Sequence, residues 1–235
     1  MSKDKIFRNE DKYMISYAQE EYLRMHLGEL CEVDSHTDAM NRYNIRSLYF
    51  DDYDDSAYGD NARGVDNRTK YRIRIYNCNP SVIHLECKQK VNGKIHKEKV
   101  SVTQEFCKKL LQDRGDEIEY PTENPLMNRF LFLYHTKHLR PRVIVEYERE
   151  PYVHTDGDVR ITIDRNIMFS DDVENFFEKD IFLQPILPIG QNLLEVKYTE
   201  FLPGFVKELL DIKQMQRVTF SKYYLCEKFR RYEGV

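Results

Sequence analysis

KYRIRIY, residues 70–76, is a segment in which cationic and apolar side chains alternate. Successive side chains of a β-strand point to opposite faces of the sheet, so Lys70, Arg72 and Arg74 would share one face. The apolar side chains between them would share the other face. Strict alternation of this kind predicts a half-buried strand whose polar face is cationic.

The same alternation returns in further segments along the chain. Each has polar or charged side chains at every second position, and the turn Asn92-Gly93 separates two of the segments. Asparagine followed by glycine between alternating segments is a strong hairpin signal. The polar sets are Arg8, Glu10 and Lys12 in RNEDKY; His84, Glu86, Lys88 and Lys90 in HLECKQK; Lys97 and Lys99 after the turn; and Arg160, Thr162 and Asp164 in VRITID.

The pattern predicts one domain over residues 1–235 with an antiparallel α+β fold, because many strands with scattered helices do not suit βαβ units. Predicted strands cover 6–14, 43–51, 69–77, 82–91, 94–102, 141–149, 159–165, 193–198 and 217–220. Two predicted helices begin after Ser16 and Ser101, each of which is followed by Gln three residues later and forms a predicted capping box. Three more are predicted to begin after Asn124, after Pro203 and at Tyr223.

The acidic segment 51–60 is predicted to be a solvated loop. The C-terminal Lys228, Arg230 and Arg231 are expected to form a solvated helix face or to touch acidic lipid or polymer.

The cationic strand faces indicate a polyanionic ligand. For one strand alone, a solvated face would explain the charges. Lysine and arginine side chains that lie side by side on several strands repel each other unless anions lie among them. A barrel with its charged face inward and helices outside would concentrate that field. The carboxylates Glu10, Glu86 and Glu195 would offer oxygen ligands to a divalent cation, so phosphate plus metal is the indicated chemistry.

The composition excludes several classes of protein. Lys and Arg number 36 against 40 Asp and Glu, a formal charge of −4, which is unlike a broadly basic nucleic-acid protein. An RNA-binding sheet of the RRM type is disfavoured, because stacking aromatics are missing from the cationic faces apart from Tyr76. The five cysteines form no CxxC pair and no apolar run is long enough for a membrane span. Free thiols and a cytoplasmic location are therefore expected.

Eight short motifs follow one another between residues 6 and 228. They are RNEDKY at 8–13, SLYFDD at 47–52, KYRIRIY at 70–76, LECKQK at 85–90, EYER at 146–149, VRITID at 159–164, LLEVKY at 193–198 and FSKYY at 220–224. In this order they resemble the VTC domain, the catalytic domain of vacuolar transporter chaperone polyphosphate polymerases. That family belongs to the triphosphate tunnel metalloenzymes. The resemblance implies an antiparallel eight-stranded β-barrel tunnel with a basic lumen, flanked by helices.

The resemblance also implies roles for the residues that match the motifs. The catalytic set that would bind phosphates of nucleotide or polymer is Lys12, Arg72, Arg74, Lys88, Arg149, Arg160 and Lys222. Further substrate contacts would come from Arg63, Lys97, Tyr147 and Ser221. Glu195 would be the ligand of a divalent metal, Mn²⁺ or Mg²⁺.

The activity implied by the resemblance is ATP-dependent synthesis of inorganic polyphosphate with release of ADP. One alternative is a triphosphatase of the related CYTH branch, which begins with E-x-E-x-K where this chain has Arg8-x-Glu10-x-Lys12. Loss of one carboxylate would weaken a two-metal site and favour the polymerase. The other alternative is a non-catalytic module that binds polyphosphate or nucleotide. The expected partners are ATP and inorganic polyphosphate, and no nucleic acid is expected to bind. A membrane-associated protein is a further expected partner, while this chain itself is not expected to be embedded in the membrane.

Overall fold

The structure is a computed structural model that describes residues 6–34, 37–212 and 215–232. Its strands are β1 (Asn9–Ser16), β2 (Glu32–Val33), β3 (Tyr43–Asp51), β4 (Arg68–Tyr76), β5 (Asn79–Val91), β6 (Lys94–Ser101), β7 (Arg140–His154), β8 (Val159–Ser170), β9 (Gln184–Pro185) and β10 (Gln191–Tyr198). Its helices are α1 (Tyr17–Leu30), α2 (Ser56–Ala62), α3 (Gln104–Leu111), α4 (Pro125–Thr136), α5 (Gly204–Ile212) and α6 (Lys222–Tyr232).

Contacts divide the chain into two compact units, and strands β3, β7 and β8 contribute residues to both. The first unit comprises Met1–Asn44, Tyr147–Ile167 and Leu187–Phe220, and the second comprises Ile45–Glu146, Met168–Ile186 and Ser221–Val235. The prediction of one domain over residues 1–235 stays a prediction.

In the first unit the strand order is β1-β10-β8-β7, with β2 paired to β7. The pairs β1–β10 and β10–β8 are antiparallel, and their register places Lys12 opposite Glu195, and Glu195 opposite Thr162. The other face of these strands is apolar and packs against helices α1 and α5. That core includes Ile15, Leu23, Leu27, Ile161, Ile163, Leu194, Val196, Val206 and Leu209.

In the second unit the strand order is β7-β3-β4-β5-β6, and the short strand β9 pairs with the end of β8. The pairs β3–β4, β4–β5 and β5–β6 are antiparallel here as well. The apolar face of β3, β4 and β5 packs against helices α3 and α4. That core includes Leu48, Phe50, Ile73, Ile75, Leu85, Phe106, Leu110, Phe130 and Leu131. The alternation read from KYRIRIY is therefore confirmed, with Ile73 and Ile75 fully buried.

The sequence identified two of three helix starts by their caps. Ser16 and Gln19 form a reciprocal capping box at α1, and Asn124 caps α4 with Pro125 in its first turn. The predicted cap at Ser101 was wrong. Thr103 caps α3 instead, because its side chain accepts from the backbone N–H of Phe106 while Ser101 is still the last residue of β6.

The acidic segment 51–60 is not a solvated loop throughout, because it contains helix α2. Asp51 is 1% exposed and accepts hydrogen bonds from the backbone N–H groups of Ala57 and Tyr58, both at 2.9 Å. Its Oδ2 also accepts from the Tyr223 hydroxyl at 2.6 Å. Asp51 therefore satisfies the free N–H groups at the start of α2 and joins them to α6.

One further expectation near the C-terminus was wrong. Residues 217–220 form no strand, and Arg217 makes an isolated antiparallel bridge with Tyr13. Lys228 is exposed on α6, whereas Arg230 and Arg231 keep 30% and 27% of their side-chain surface exposed and bond to the fully buried carboxylate of Glu227. The charges of the two arginines are therefore used in holding α6 together.

The expected fold class is confirmed as α+β, an antiparallel sheet with flanking helices. The main path of the sheet contains the eight strands that were expected, and β2 and β9 lie off it. Across residues 6–34, 37–212 and 215–232, no helix is long and apolar enough to cross a membrane.

The hydrogen bonds of Asp51 predict a large stability effect. Asp51→Ala leaves the Tyr223 hydroxyl and the N–H groups of Ala57 and Tyr58 without their acceptor, so we expect the free energy of unfolding to fall by about 2–4 kcal/mol. Asp54→Ala is the matched control, because Asp54 is exposed and its loss should cost less than about 0.5 kcal/mol. Urea denaturation compares the two variants, and equal midpoints would contradict the assigned role of Asp51.

Candidate active site

The polar face of β4, β5 and β6 in the second unit gathers cations. Residues directly opposite each other in antiparallel strands share a face. The register places Lys70 opposite Lys88, Lys88 opposite Lys97, and Arg72 opposite Glu86. We call this surface the basic face. It consists of Lys70, Arg72, Arg74, Lys88, Lys97 and Lys99, with Glu86 among them.

Glu86 is the one carboxylate on the basic face of the described strands β4–β6, and it lies within reach of several cations. Its Oε2 accepts from Arg72 Nε at 2.8 Å and from Nη2 at 2.6 Å, and lies 3.8 Å from Arg74 Nη1. Its Oε1 accepts from Lys97 Nζ at 3.0 Å. Burial alone would raise the pKa of Glu86, but Arg72, Arg74 and Lys97 hold it well below its usual range. Glu86 is thus an internal counter-ion rather than a free ligand for metal.

The two arginines of the basic face are held on their other sides by hydroxyl groups of β3. Arg72 Nη1 donates to the Tyr49 hydroxyl at 2.7 Å, and Arg74 Nε donates to Ser47 Oγ at 3.1 Å. Arg74 is only 4% exposed. These contacts fix the planar guanidinium groups, which suits two-point binding of phosphate oxygens.

Lys97 has an unusual protonation equilibrium. Loss of hydration, together with the positive charges of Arg74 and Arg72, lowers the pKa of Lys97 to about 7, although Glu86 opposes the shift. Across the strands Lys97 also lies opposite Lys88. The charge of the basic face therefore changes near neutral pH.

The first turn of α6 also carries predicted site residues. Ser221 precedes the helix, and its Oγ accepts from the backbone N–H of Tyr224 at 3.2 Å. The same oxygen accepts from Lys70 Nζ at 2.8 Å. Lys222, the first residue of the helix, is 8% exposed. Within the second unit, Ser221 is thus joined directly to the basic face.

Arg63 lies apart from the other predicted residues of the second unit. It follows α2, its side chain is 66% exposed, and its Nη2 pairs with Asp60 at 2.8 Å. The contacts of Arg63 therefore support its implied role in binding substrate less than the contacts of the other predicted site residues support theirs.

The polar face of β1 and β10 in the first unit pairs two carboxylates with two lysines. Lys12 Nζ lies 3.1 Å from Glu10 Oε1 and 3.5 Å from Glu195 Oε2, and it donates to the Phe220 carbonyl at 2.8 Å. Lys197 contacts Glu195 and lies 3.8 Å from Glu10 Oε2. Acid and base are balanced on this face, in contrast to the basic face.

The remaining predicted residues of the first unit lie on β7 and β8. Arg149 donates to both oxygens of the buried Asp164, from Nε at 2.6 Å and from Nη2 at 2.7 Å. Its guanidinium carbon lies 5.3 Å from the ring centre of Tyr147. Arg160 Nη2 donates to Asp34 at 2.9 Å and to the Tyr43 hydroxyl at 3.2 Å. Arg149 and Tyr147 therefore lie together beside Asp164, whereas Arg160 lies beside Asp34.

The oxygen donors of Glu195 and Glu10 fit a divalent metal that arrives with phosphate. Both side chains are 6% exposed and share the same lysine neighbours. No group of three or more His, Cys, Asp or Glu side chains suited to a metal occurs in residues 6–34, 37–212 and 215–232. Mg²⁺ is commonly held by one or two carboxylates with substrate phosphates completing its shell. Two neighbouring carboxylates meet that requirement.

The sequence alone did not single out Lys197, placed Lys70 only on the cationic strand face, and offered Glu86 only as an oxygen ligand for metal. Lys70 contacts Ser221, Lys197 contacts the predicted metal ligand, and Glu86 contacts both arginines of KYRIRIY. The available signal was the two-residue spacing, because Lys70 precedes Arg72 by two positions and Lys197 follows Glu195 by two.

Comparison with models of protein families shows which family the chain belongs to. The model of the VTC domain matches residues 7–228. The chain belongs to the VTC domain family. A search among curated proteins returns no match.

Solved structures similar to this VTC domain show its fold. A candidate adenylyl cyclase from Hippeastrum, described as having a dominant triphosphatase activity, is 12% identical with a TM-score of 0.59, and the alignment covers 95% of each chain. A candidate adenylate cyclase from Bacillus halodurans is 13% identical with a TM-score of 0.55, covering 96% of this chain and 98% of that one. At these identities the likeness shows the fold alone, the triphosphate tunnel type that the motifs imply.

The lowered pKa of Lys97 predicts that the affinity for anions depends on pH. With its pKa lowered to about 7, Lys97 loses charge as the pH rises through neutrality, so tripolyphosphate should bind several-fold more weakly as the pH rises from about 6 to about 8.5. Lys97→Arg keeps its charge throughout this range. Titration calorimetry should show the extra loss of affinity in the wild type only, because ionisation of the ligand is common to both proteins. Parallel curves for the two proteins would contradict the prediction.

Proposed function

We propose that this VTC domain is a metal-dependent polyphosphate polymerase, which transfers the γ-phosphoryl group of ATP to the end of a polyphosphate chain and releases ADP. The observation that carries the proposal is the basic face, where Lys70, Arg72, Arg74, Lys88, Lys97 and Lys99 surround one carboxylate. Cations placed opposite one another in register are stabilised by a ligand that carries several negative charges in a row. Condensed phosphate is such a ligand.

The roles of the chain's own residues follow from their contacts. The fixed guanidinium groups of Arg72 and Arg74 hold equatorial phosphate oxygens and offset their charge. Lys88 and Lys97 bind neighbouring phosphates, and Ser221 with Lys222 orients a terminal phosphate. On the first unit, Lys12, Arg149 and Arg160 are the proposed phosphate ligands, with Tyr147 as a substrate contact; Arg63 is retained as a peripheral contact.

The transfer needs no side-chain nucleophile. The terminal phosphate oxygen of the acceptor is already anionic, so it attacks the γ-phosphorus directly while the bond to the β–γ bridging oxygen breaks and ADP leaves. Positioning and neutralisation of charge then supply the catalysis. Glu195 and Glu10 would hold the metal, Mn²⁺ or Mg²⁺, which supplies Lewis-acid stabilisation of phosphate charge when bound.

A triphosphatase is the second candidate, supported by the activity described for the structural neighbour from Hippeastrum. In that reaction water takes the place of the acceptor phosphate. Position 8 favours the polymerase. Arg8 stands where the CYTH motif has its first glutamate, and it pairs with Asp158, so the strand offers one carboxylate fewer for a second metal. A binding module without catalysis is the third candidate.

The cytoplasm is the proposed compartment. Cys31, Cys78, Cys87, Cys107 and Cys226 are all free thiols, which is typical of reducing surroundings. ATP and inorganic polyphosphate are the proposed substrate and product partners, and a membrane-associated protein is a further proposed partner.

The reaction products decide between the three candidates. The protein is incubated with ATP and Mn²⁺, and the phosphates are separated by length. Long polyphosphate with ADP supports the polymerase. Orthophosphate release without polymer supports the triphosphatase, and unchanged ATP supports a binding module.

Arg74→Ala should abolish polymer synthesis, with a loss of about 100-fold or more, since it removes a fixed guanidinium from developing charge. Lys94→Ala is the control, because Lys94 is exposed at the turn between β5 and β6 and should retain the wild-type rate. Thermal unfolding checks that both variants are folded. An Arg74→Ala protein that makes polymer at the wild-type rate would contradict the proposed role of Arg74.

A further inference from the structure

We propose that Lys70 is a positioning residue that fixes the first turn of α6, and with it Ser221 and Lys222, beside the basic face. Lys70 lies two positions before Arg72 on β4 and shares its face, so its charge alone would suggest a direct phosphate ligand. Its contacts indicate a different role. The inference rests on the proposed function only in taking condensed phosphate as the ligand.

The ammonium of Lys70 joins three elements of the second unit. Lys70 Nζ donates to Ser221 Oγ at 2.8 Å and to Asn61 Oδ1 at 2.8 Å. Asn61 belongs to α2, and Ser221 lies directly before α6. Nζ also lies 5.7 Å from the ring centre of Tyr223. A single side chain of β4 thus connects to both helices that flank it.

The contact with Ser221 acts on the cap of α6. Ser221 Oγ accepts from the backbone N–H of Tyr224, so the same oxygen satisfies the helix start and accepts the hydrogen bond from the Lys70 ammonium. Its position fixes where Lys222, the next residue, begins the helix. The hydrogen bond from Lys70 therefore sets the position of both residues relative to the basic face.

The first turn of α6 has a second anchor at Tyr223, independent of Lys70. The Tyr223 hydroxyl donates to Asp51 at 2.6 Å, and the Tyr223 ring stacks on Tyr49 at a centroid distance of 5.2 Å. Tyr49 in turn receives a hydrogen bond from Arg72. These contacts anchor the helix to β3. Lys70 adds the contact at the cap, so its loss should loosen Ser221 and Lys222 without unfolding the helix.

The row of lysines explains why the direction of the Lys70 side chain matters. Lys88 lies directly opposite Lys70, and Lys97 directly opposite Lys88. Like charges that lie opposite each other repel. Two hydrogen bonds toward Asn61 and Ser221 point the Lys70 ammonium to the helices and leave phosphate binding in this row to its neighbours.

Asn61→Ala gives the sharpest test, because it removes an acceptor of Lys70 and leaves every charge of the basic face in place. The readout is the affinity for tripolyphosphate, measured by titration calorimetry. A positioning role predicts that Asn61→Ala weakens binding about threefold, since the ammonium is no longer held against the cap. A direct phosphate ligand freed from Asn61 would bind tripolyphosphate as tightly as before or more tightly, and that result would overturn the proposal.

A double-mutant cycle gives the second test. Lys70→Met and Ser221→Ala should each weaken binding about tenfold, and the double variant should be no weaker than the stronger single effect, because both changes break one hydrogen bond. Lys70→Arg keeps the donors and should restore affinity to within about threefold of the wild type. Losses that multiply to about 100-fold in the double variant would contradict the coupling.

Lys90→Met is the matched control for loss of a lysine close to the basic face but outside it. Lys90 lies on the adjoining strand β5 and pairs with the exposed Asp66 at 3.3 Å. Its loss should change affinity less than about twofold, and a tenfold loss would show that any lysine deletion weakens binding. Because the readout is binding alone, a wild type that binds tripolyphosphate but makes no polymer refutes the polymerase and leaves this test intact.

Discussion

The basic face depends on one electrostatic constraint, the position of Glu86 among cations that the strand register places opposite each other. Lys70, Lys88 and Lys97 form a row across three strands, and the next row contains Arg72, Glu86 and Lys99. Burial of a carboxylate is unfavourable unless it is paired, and here Arg72, Arg74 and Lys97 share it. One negative charge cannot neutralise the surrounding cations. The excess positive charge is what a polyanionic ligand would neutralise.

The two units use the same design with different charge balance. In each, one sheet face is apolar and covered by helices, and the other is polar. On the first unit, Glu10 and Glu195 alternate with Lys12 and Lys197, and Asp164 accepts both hydrogen bonds from Arg149. On the second unit, cations dominate. The first arrangement offers oxygen donors to a metal, and the second offers donors to phosphate, so the chemistry of each face follows from its charge.

Much of the fold follows from the period of the sequence, because a two-residue alternation fixes which side chains are buried. β3 and β6 begin at Tyr43 and Lys94, where the predicted strands begin, and the antiparallel order follows from hairpins such as Asn92-Gly93. Helix α2 could not be predicted in this way. Its segment is acidic and lacks apolar periodicity, and it is helical because Asp51 caps it from a buried position on β3. Pairings such as Glu86 with Arg72 and Lys70 with Ser221 also require the register and the helix positions, which spacing alone does not give.

Hydrogen–deuterium exchange with and without tripolyphosphate tests most directly whether the basic face is the phosphate-binding surface. The repulsion between β4, β5 and β6 should be relieved by the ligand, so amides in residues 68–76, 84–90 and 94–101 should exchange more slowly in its presence. Potassium chloride at equal ionic strength is the reference, because it screens charge without bridging the strands. Slower exchange of these segments with tripolyphosphate alone is the predicted result. Unchanged exchange there, while other segments become protected, would contradict the account.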